Sequence, residues 1–254
     1  MPAAPRHRVP PAIRGLSVKI FADGATLGDM KAWSRQSYIR GFTTNPTLMH
    51  KAGVRDYTGF VRAAVRAMPD RPISFEVFSD DFGEMECQAR EIAASGCNVY
   101  VKIPITNSRG EPAVSLIRRL SRGGVKVNVT AVFTLAQVAA AVEALDGGAP
   151  SNISVFAGRI ADTGRDPVPL VAEALAVAAR AASIELIWAS PREVLNVYQA
   201  NAIGCHIITA TADILSKLTL AGKDLDEFSL ETVQMFRNDA LKAGFALKGR
   251  QPLA

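Results

Sequence analysis

Short runs rich in Val, Ile and Phe alternate along this chain with longer Ala-rich stretches that carry charges, and this alternation leaves few architectures open. A short apolar run buried on both faces reads as a parallel strand, and the stretch between two such runs reads as the helix that covers the sheet. The runs are VKIFAD (18–23), GFTT (41–44), ISFEVF (73–78), NVYVKI (98–103), VKVNVT (125–130), NISVF (152–156), IELIWA (184–189) and HIIT (206–209). Barrels of alternating strand and helix commonly take about 250 residues as one domain. The chain has 254, and the expected fold is α/β: a single (β/α)8 TIM barrel with an extra C-terminal helix. An open doubly wound sheet needs the same alternation, but neither GxGxxG nor GxxxxGK followed by Ser or Thr succeeds a strand, so nucleotide-binding versions lose support.

Helices are expected over 56–68, 83–94, 114–122, 135–145, 169–182, 192–201 and 211–220, and a last one over 230–243. Thr134 and Ser229 suit N-caps because their hydroxyls can accept early backbone N–H bonds, while Gly96 and Gly204 suit turns into the next strand. Residues 1–16, rich in Pro and Arg, read as a disordered basic tail ahead of a barrel domain over 17–254 that includes the last helix. An organelle-import peptide is the competing reading of that tail, and its prolines oppose the helix such peptides form.

The net charge of +5 includes Arg6, Arg8 and Arg14 in that acid-free opening, which leaves too little excess on the domain to argue for nucleic acid. The three cysteines are scattered and the three histidines isolated, so neither a disulfide framework nor a metal centre nor a Ser/His/Asp triad is indicated. No apolar stretch reaches membrane-spanning length. A cytoplasmic protein with reduced thiols is the expectation.

Lys102 is the sharpest chemical signal. Within VYVKIP it must either take an ammonium into a core, which costs several kcal/mol (roughly) unless paired or neutralised, or reach solvent at a strand end. Strand alternation puts Tyr100 and Lys102 on one face and Val99, Val101 and Ile103 on the other, so Lys102 points into the barrel mouth. Desolvation lowers a lysine pKa and frees the amine to attack a carbonyl. Asp23 ends its run and Glu76 interrupts another, which offers two carboxylates for proton transfer; the alternatives are a turn residue and a plain ion partner of Lys102. Asn128 and Thr130 recur at strand period, as do Ser154 and Phe156; they supply either substrate hydrogen bonds or a satisfied polar core layer. Arg159 follows the sixth run, and Ser190 and Arg192 follow the seventh where a helix is expected to begin. Together they make a phosphate site, although singly each fits an exposed loop.

Read together, FADGA (21–25), TTNPTL (43–48), FEV (75–77), VKIP (101–104), NVT (128–130), ISVFAGRI (153–160) and ASPR (189–192) resemble the transaldolase family, in the family's order and across nearly all the strands. TTNP and the lysine-bearing strand are the most specific of these. The resemblance implies a class I aldolase mechanism with Lys102 as the imine-forming nucleophile, Asp23 as the acid/base for C–C cleavage and Glu76 acting through a water. It also implies that Asn45, Asn128, Thr130 and Ser154 hold a dihydroxyacetone unit, that Arg159, Ser190 and Arg192 bind phosphate, and that Thr43 and Thr44 shape a loop. The reaction so implied moves that unit between sugar phosphates without a metal or any other cofactor.

The same family contains fructose-6-phosphate aldolases that release free dihydroxyacetone, which carry Gln at the position of Glu76 and Tyr at that of Phe156. Both positions here favour transfer, since an amide shuttles no protons and a phenol would protonate an enamine. The segment TNSRGEP (106–112) is longer than in the compact aldolases and ASPR is shorter than their corresponding loop, which opens the question of an unusual donor or acceptor. The resemblance further implies a homo-oligomer assembled through the last helix. A non-catalytic sugar-phosphate-binding barrel is the remaining alternative, and the joint presence of Asp23, Glu76 and Lys102 stands against it.

Overall fold

β-Branched and aromatic side chains fit the pleated surface of a strand that is covered by helices, and here they mark where the strands form. The computed structural model describes residues 13–247. Among them eight parallel strands close into a barrel in sequence order: β1 (Lys19–Asp23), β2 (Ile39–Thr43), β3 (Ile73–Glu76), β4 (Val99–Pro104), β5 (Val127–Val132), β6 (Ser151–Val155), β7 (Ile184–Trp188) and β8 (Ile207–Thr211). All eight expected runs are strands. The barrel shuts because β1 pairs with β2 on one side and β8 on the other.

Connecting helices appear where the longer stretches were, and Thr134 caps the helix Leu135–Leu145 in a reciprocal box with Gln137. Three helices go beyond the expected set: Leu27–Ser34, Pro46–Lys51 and Ala157–Ala161. At eight residues or fewer, they are too short to show a 3.6-residue period. The helix expected over 192–201 begins later, at Leu195, because the Asn196 side chain takes the N–H groups of Arg192 and Glu193 into a turn of its own.

The chain divides into two compact units, one ending at Leu218 and one beginning at Thr219. The second unit holds the helix Leu225–Ala243, which starts before the expected 230: Asp224 accepts from the N–H groups of Asp226 and Glu227, leaving Ser229 inside the helix rather than at its cap. Gly244 ends it with a left-handed φ of 65°, and none of its residues is buried. Of the tail expected over 1–16, residues 1–12 lie outside the described residues, while Ile13 is buried. No helix among the described residues is long and apolar enough to cross a membrane.

The two faces of each strand have different tasks. Ile73 and Phe75 of β3 and Val99, Val101 and Ile103 of β4 face outward into the apolar layer beneath the helices, each almost fully buried. Inside, Phe21, Ile187 and Ile207 form a separate small apolar cluster. Gly41 of β2 lies against it: a Cβ there would sit 2.5 Å from the Phe21 ring. Gly41→Ala is therefore expected to destabilise the fold by about 1–3 kcal/mol through overpacking. Urea unfolding measures this, and an unchanged midpoint would mean that the Phe21 ring yields freely.

Candidate active site

Parallel register places Glu76 of β3 beside Lys102 of β4, and Lys102 beside Asn128 of β5. Lys102 is only 6% exposed. Its Nζ lies 2.9 Å from Glu76 Oε2 and donates to the Thr44 carbonyl, also at 2.9 Å. A buried ammonium is tolerable only with such partners, so the pair and the carbonyl together hold the amine in place. The Tyr57 hydroxyl fixes Glu76 from behind, donating to its backbone carbonyl at 2.6 Å. Burial, reinforced by the Glu76 charge, pushes the Tyr57 pKa up and keeps it a donor.

Asp23 ends β1, in register with Thr43 and Thr211. Thr43 Oγ1 donates to its Oδ1 at 2.7 Å, while Asn45 Nδ2 approaches Oδ2 at a longer 3.4 Å. Asn45 is positioned by capping the helix Pro46–Lys51, where its Oδ1 accepts from Leu48 N at 2.9 Å and Pro46 supplies a ready-made first helical residue. Burial raises the pKa of Asp23 above the ordinary carboxyl range; Lys102 and the Thr43 bond pull it back, and the Glu76 charge adds to the rise. Thr43 and Thr44, expected to shape a loop, thus contact the charged groups directly.

A polar layer runs beneath the lysine. Asn128, fully buried, donates from Nδ2 to Ser74 Oγ at 3.0 Å and accepts at Oδ1 from Ser154 Oγ at 2.7 Å. It lies behind the cavity wall, with Ser154 as its forward contact. Thr130 Oγ1 is buried with no hydrogen-bond partner among the described residues. The next residue, Ala131, has a left-handed φ of 58° where the β5–β6 register shifts, a bulge at the cavity wall. Phe156 packs on Phe133 and carries the Arg159 guanidinium over its ring at 5.3 Å.

The expected phosphate end takes its shape from a close backbone approach. A Cβ on Gly158 would lie 1.5 Å from the Ser190 carbonyl oxygen, and Ser190 itself has a φ of 61°. Arg192 is held by Asp162, with Nε to Oδ1 at 3.1 Å and Nη2 on Oδ2. At the expected helix start, the N–H groups of Arg192 and Glu193 are taken by the Asn196 side chain.

One cavity of about 510 Å³ joins these parts. Apart from Asn128, every sequence-predicted site residue lines it: Asp23, Asn45, Glu76, Lys102, Thr130, Ser154, Phe156, Arg159, Ser190 and Arg192. Thr43, Thr209 and Lys51 also line it, while Ser74, Asp162 and Gly158 support it from behind. Ser74 was findable by the period of two before Glu76; Asp162 and Thr209 had no comparable signal. No group of three or more His, Cys, Asp or Glu among the described residues could hold a metal ion. The arrangement offers a held amine, two carboxylates on different strands, neutral hydrogen-bonding groups and, at one end, two guanidiniums.

Residues 20–247 match the protein-family profile described as Transaldolase/Fructose-6-phosphate aldolase. A protein of Thermoanaerobacter sp. (strain X514) named "Probable transaldolase" is 34% identical over 236 residues, covering 91% of this chain and all of that one. One of the same name from Methanococcus maripaludis (strain C7) is 37% identical over 202 residues, 79% of this chain and 89% of its own. Among solved structures, a putative phosphonomutase from Burkholderia cenocepacia J2315 superposes with a TM-score of 0.57 at 12% identity, over 90% of this chain and 98% of that one, a likeness of fold alone.

A carboxyl whose pKa is raised by folding binds its proton more tightly in the folded state, so it subtracts stability as pH rises above the ordinary carboxyl range. Asp23→Asn is therefore expected to raise the thermal midpoint at pH 7, with the gain shrinking as pH falls toward that ordinary range. Thermal unfolding at several pH values measures it. A midpoint lowered at pH 7 would contradict a burial-dominated Asp23.

Proposed function

Because the chain belongs to the transaldolase/fructose-6-phosphate aldolase family, we propose that it transfers a dihydroxyacetone unit from a ketose phosphate to an aldose phosphate through an imine at Lys102. The observation that carries this reading is the buried Lys102 amine, 2.9 Å from Glu76 and sharing one cavity with Asp23.

In the proposed cycle Glu76 takes the ammonium proton, and the neutral Nζ attacks the ketose C2 carbonyl. Glu76 then protonates the carbinolamine hydroxyl, which leaves as water. The iminium is an electron sink. Asp23 removes the C4 hydroxyl proton, the C3–C4 bond breaks toward the iminium, and an aldose phosphate leaves behind an enamine on Lys102. An incoming aldose phosphate is attacked by enamine C3 while Asp23 returns the proton to the new alkoxide, and hydrolysis of the new imine frees the product. Ser154, kept in orientation by Asn128, and Asn45 hold the three-carbon unit. Arg159, Ser190 and Arg192 hold the phosphate.

Transfer is favoured over release by what faces the enamine. Phe156 has no acidic hydrogen, so no phenol at that position protonates the enamine before an acceptor arrives. With fructose 6-phosphate as donor, product is expected only when erythrose 4-phosphate is also present; free dihydroxyacetone at a comparable rate without acceptor would make the protein an aldolase instead. Borohydride in the presence of the ketose phosphate should fix an adduct to the peptide carrying Lys102. Lys102→Ala should lose both adduct and turnover, and wild-type turnover in that variant would overturn the mechanism.

A further inference from the structure

Thr209, on β8 and 5% exposed, has no part in the cycle above, yet its Oγ1 lies 2.6 Å from Thr43 Oγ1 at the cavity wall. The proton count along this chain is fixed by chemistry. Thr43 has one hydroxyl hydrogen, and an ionised Asp23 can only accept, so that hydrogen lies on the 2.7 Å bond to Oδ1. The Thr43–Thr209 contact must then be filled by the hydrogen of Thr209. Two hydroxyls in series end on one oxygen of the carboxylate, and each donation polarises the next. Among the described residues, the other oxygen, Oδ2, has only the long 3.4 Å approach of Asn45 Nδ2 and keeps its lone pairs available.

We propose that Thr209 is a positioning residue which, through Thr43, locks Oδ1 of Asp23 and leaves Oδ2 as the oxygen that takes and returns the substrate proton. This rests on the reading of Asp23 as the acid/base of C–C cleavage. It assigns a direction to that transfer: the hydrogen passes between the substrate hydroxyl and Oδ2, and the Thr209–Thr43–Oδ1 chain keeps its donors unchanged throughout. Were Oδ1 to receive the proton instead, it would do so on the one lone pair left beside the Thr43 bond, and that bond and the donor behind it would weaken in every cycle.

Removing the far donor weakens the bond that stabilises the carboxylate and moves its proton affinity upward. Among the described residues, the other charged groups around Asp23 are Lys102 on β4, Glu76 on β3, Lys51 on the helix Pro46–Lys51, Arg159 and Arg192 lining the same cavity, and Asp29 and Asp213, which line an adjoining cavity with Asp23. A change at Thr209 alters the charge of none of them.

The test uses Thr209→Val, which keeps the shape and removes the hydroxyl, and Thr209→Ser, which restores it. For the valine variant kcat should fall about tenfold, the weight of one hydrogen bond, with KM little changed. Because Asp23 must be ionised to act as a base, activity falls on the acid side, and that limb of the kcat/KM profile should move to higher pH by on the order of half a unit. The serine variant should recover both values, and borohydride trapping at Lys102 should persist in all variants, since imine formation uses Glu76. Should valine disturb folding, Thr209→Ala carries the same expectation.

A wild-type kcat with an unmoved acid limb in the valine or alanine variant would overturn the proposal. A serine variant as impaired as valine, or trapping lost together with turnover, would overturn it too, by making Thr209 a packing residue. If the wild-type protein itself shows neither transfer nor an adduct, the reading of the whole site fails, a result distinct from either of these.

Discussion

An ammonium inside a barrel must be answered by the strands beside it, and the inner face of this barrel is arranged around that demand. Glu76 answers from the next strand in register and the Thr44 carbonyl from the residue that follows β2. Below them, Ser74, Asn128 and Ser154 occupy inward positions that a barrel built only for packing fills with Val, Ile and Leu. The period of two keeps this arrangement affordable. The same strands turn Ile73, Phe75, Val99, Val101 and Ile103 outward, where burial at about 25 cal/mol per Å² supplies the stability that the polar interior does not.

Two wall residues show how far the shape of the cavity departs from the lowest-energy backbone. Ala131 and Ser190 both sit in the left-handed region, which costs a side-chain-bearing residue roughly 1–2 kcal/mol. Each lies just past the part of a strand that a continuous ladder would hold straight: Ala131 at the β5 bulge and Ser190 two residues after β7. The hydrogen-bonded barrel around them over-determines these turns, so local strain persists where the walls are shaped.

Much of this was legible in the sequence because it depends on spacing alone. Eight apolar runs became eight strands, and Lys102 and Glu76 stood out as charges inside such runs. What stayed hidden depends on contacts distant in sequence. The spacing before Glu76 shows that Ser74 is on the inner face, but not that Asn128, 54 residues on, donates to it. Nothing local to Gly158 announces that the Ser190 carbonyl will occupy the space of its side chain. Asn128 fits equally a cavity wall or a position behind one, because the period of two gives its face and not its depth. Ser229 failed as a cap because Asp224, with acidic residues following in the first turn, made the stronger helix start upstream.

The guanidinium of Arg192 already rests on the carboxylate of Asp162, and that of Arg159 on the ring of Phe156. Much of the rotational freedom of two long side chains is therefore lost before any anion arrives, and the local field is partly cancelled. If this end holds the phosphate as proposed, the pairing sets a threshold: a weak or singly charged anion gains little over the partners in place, whereas one with several oxygens and two charges offers acceptors to both cations. Selectivity here would come from competition with the protein's own groups, not from the strength of attraction.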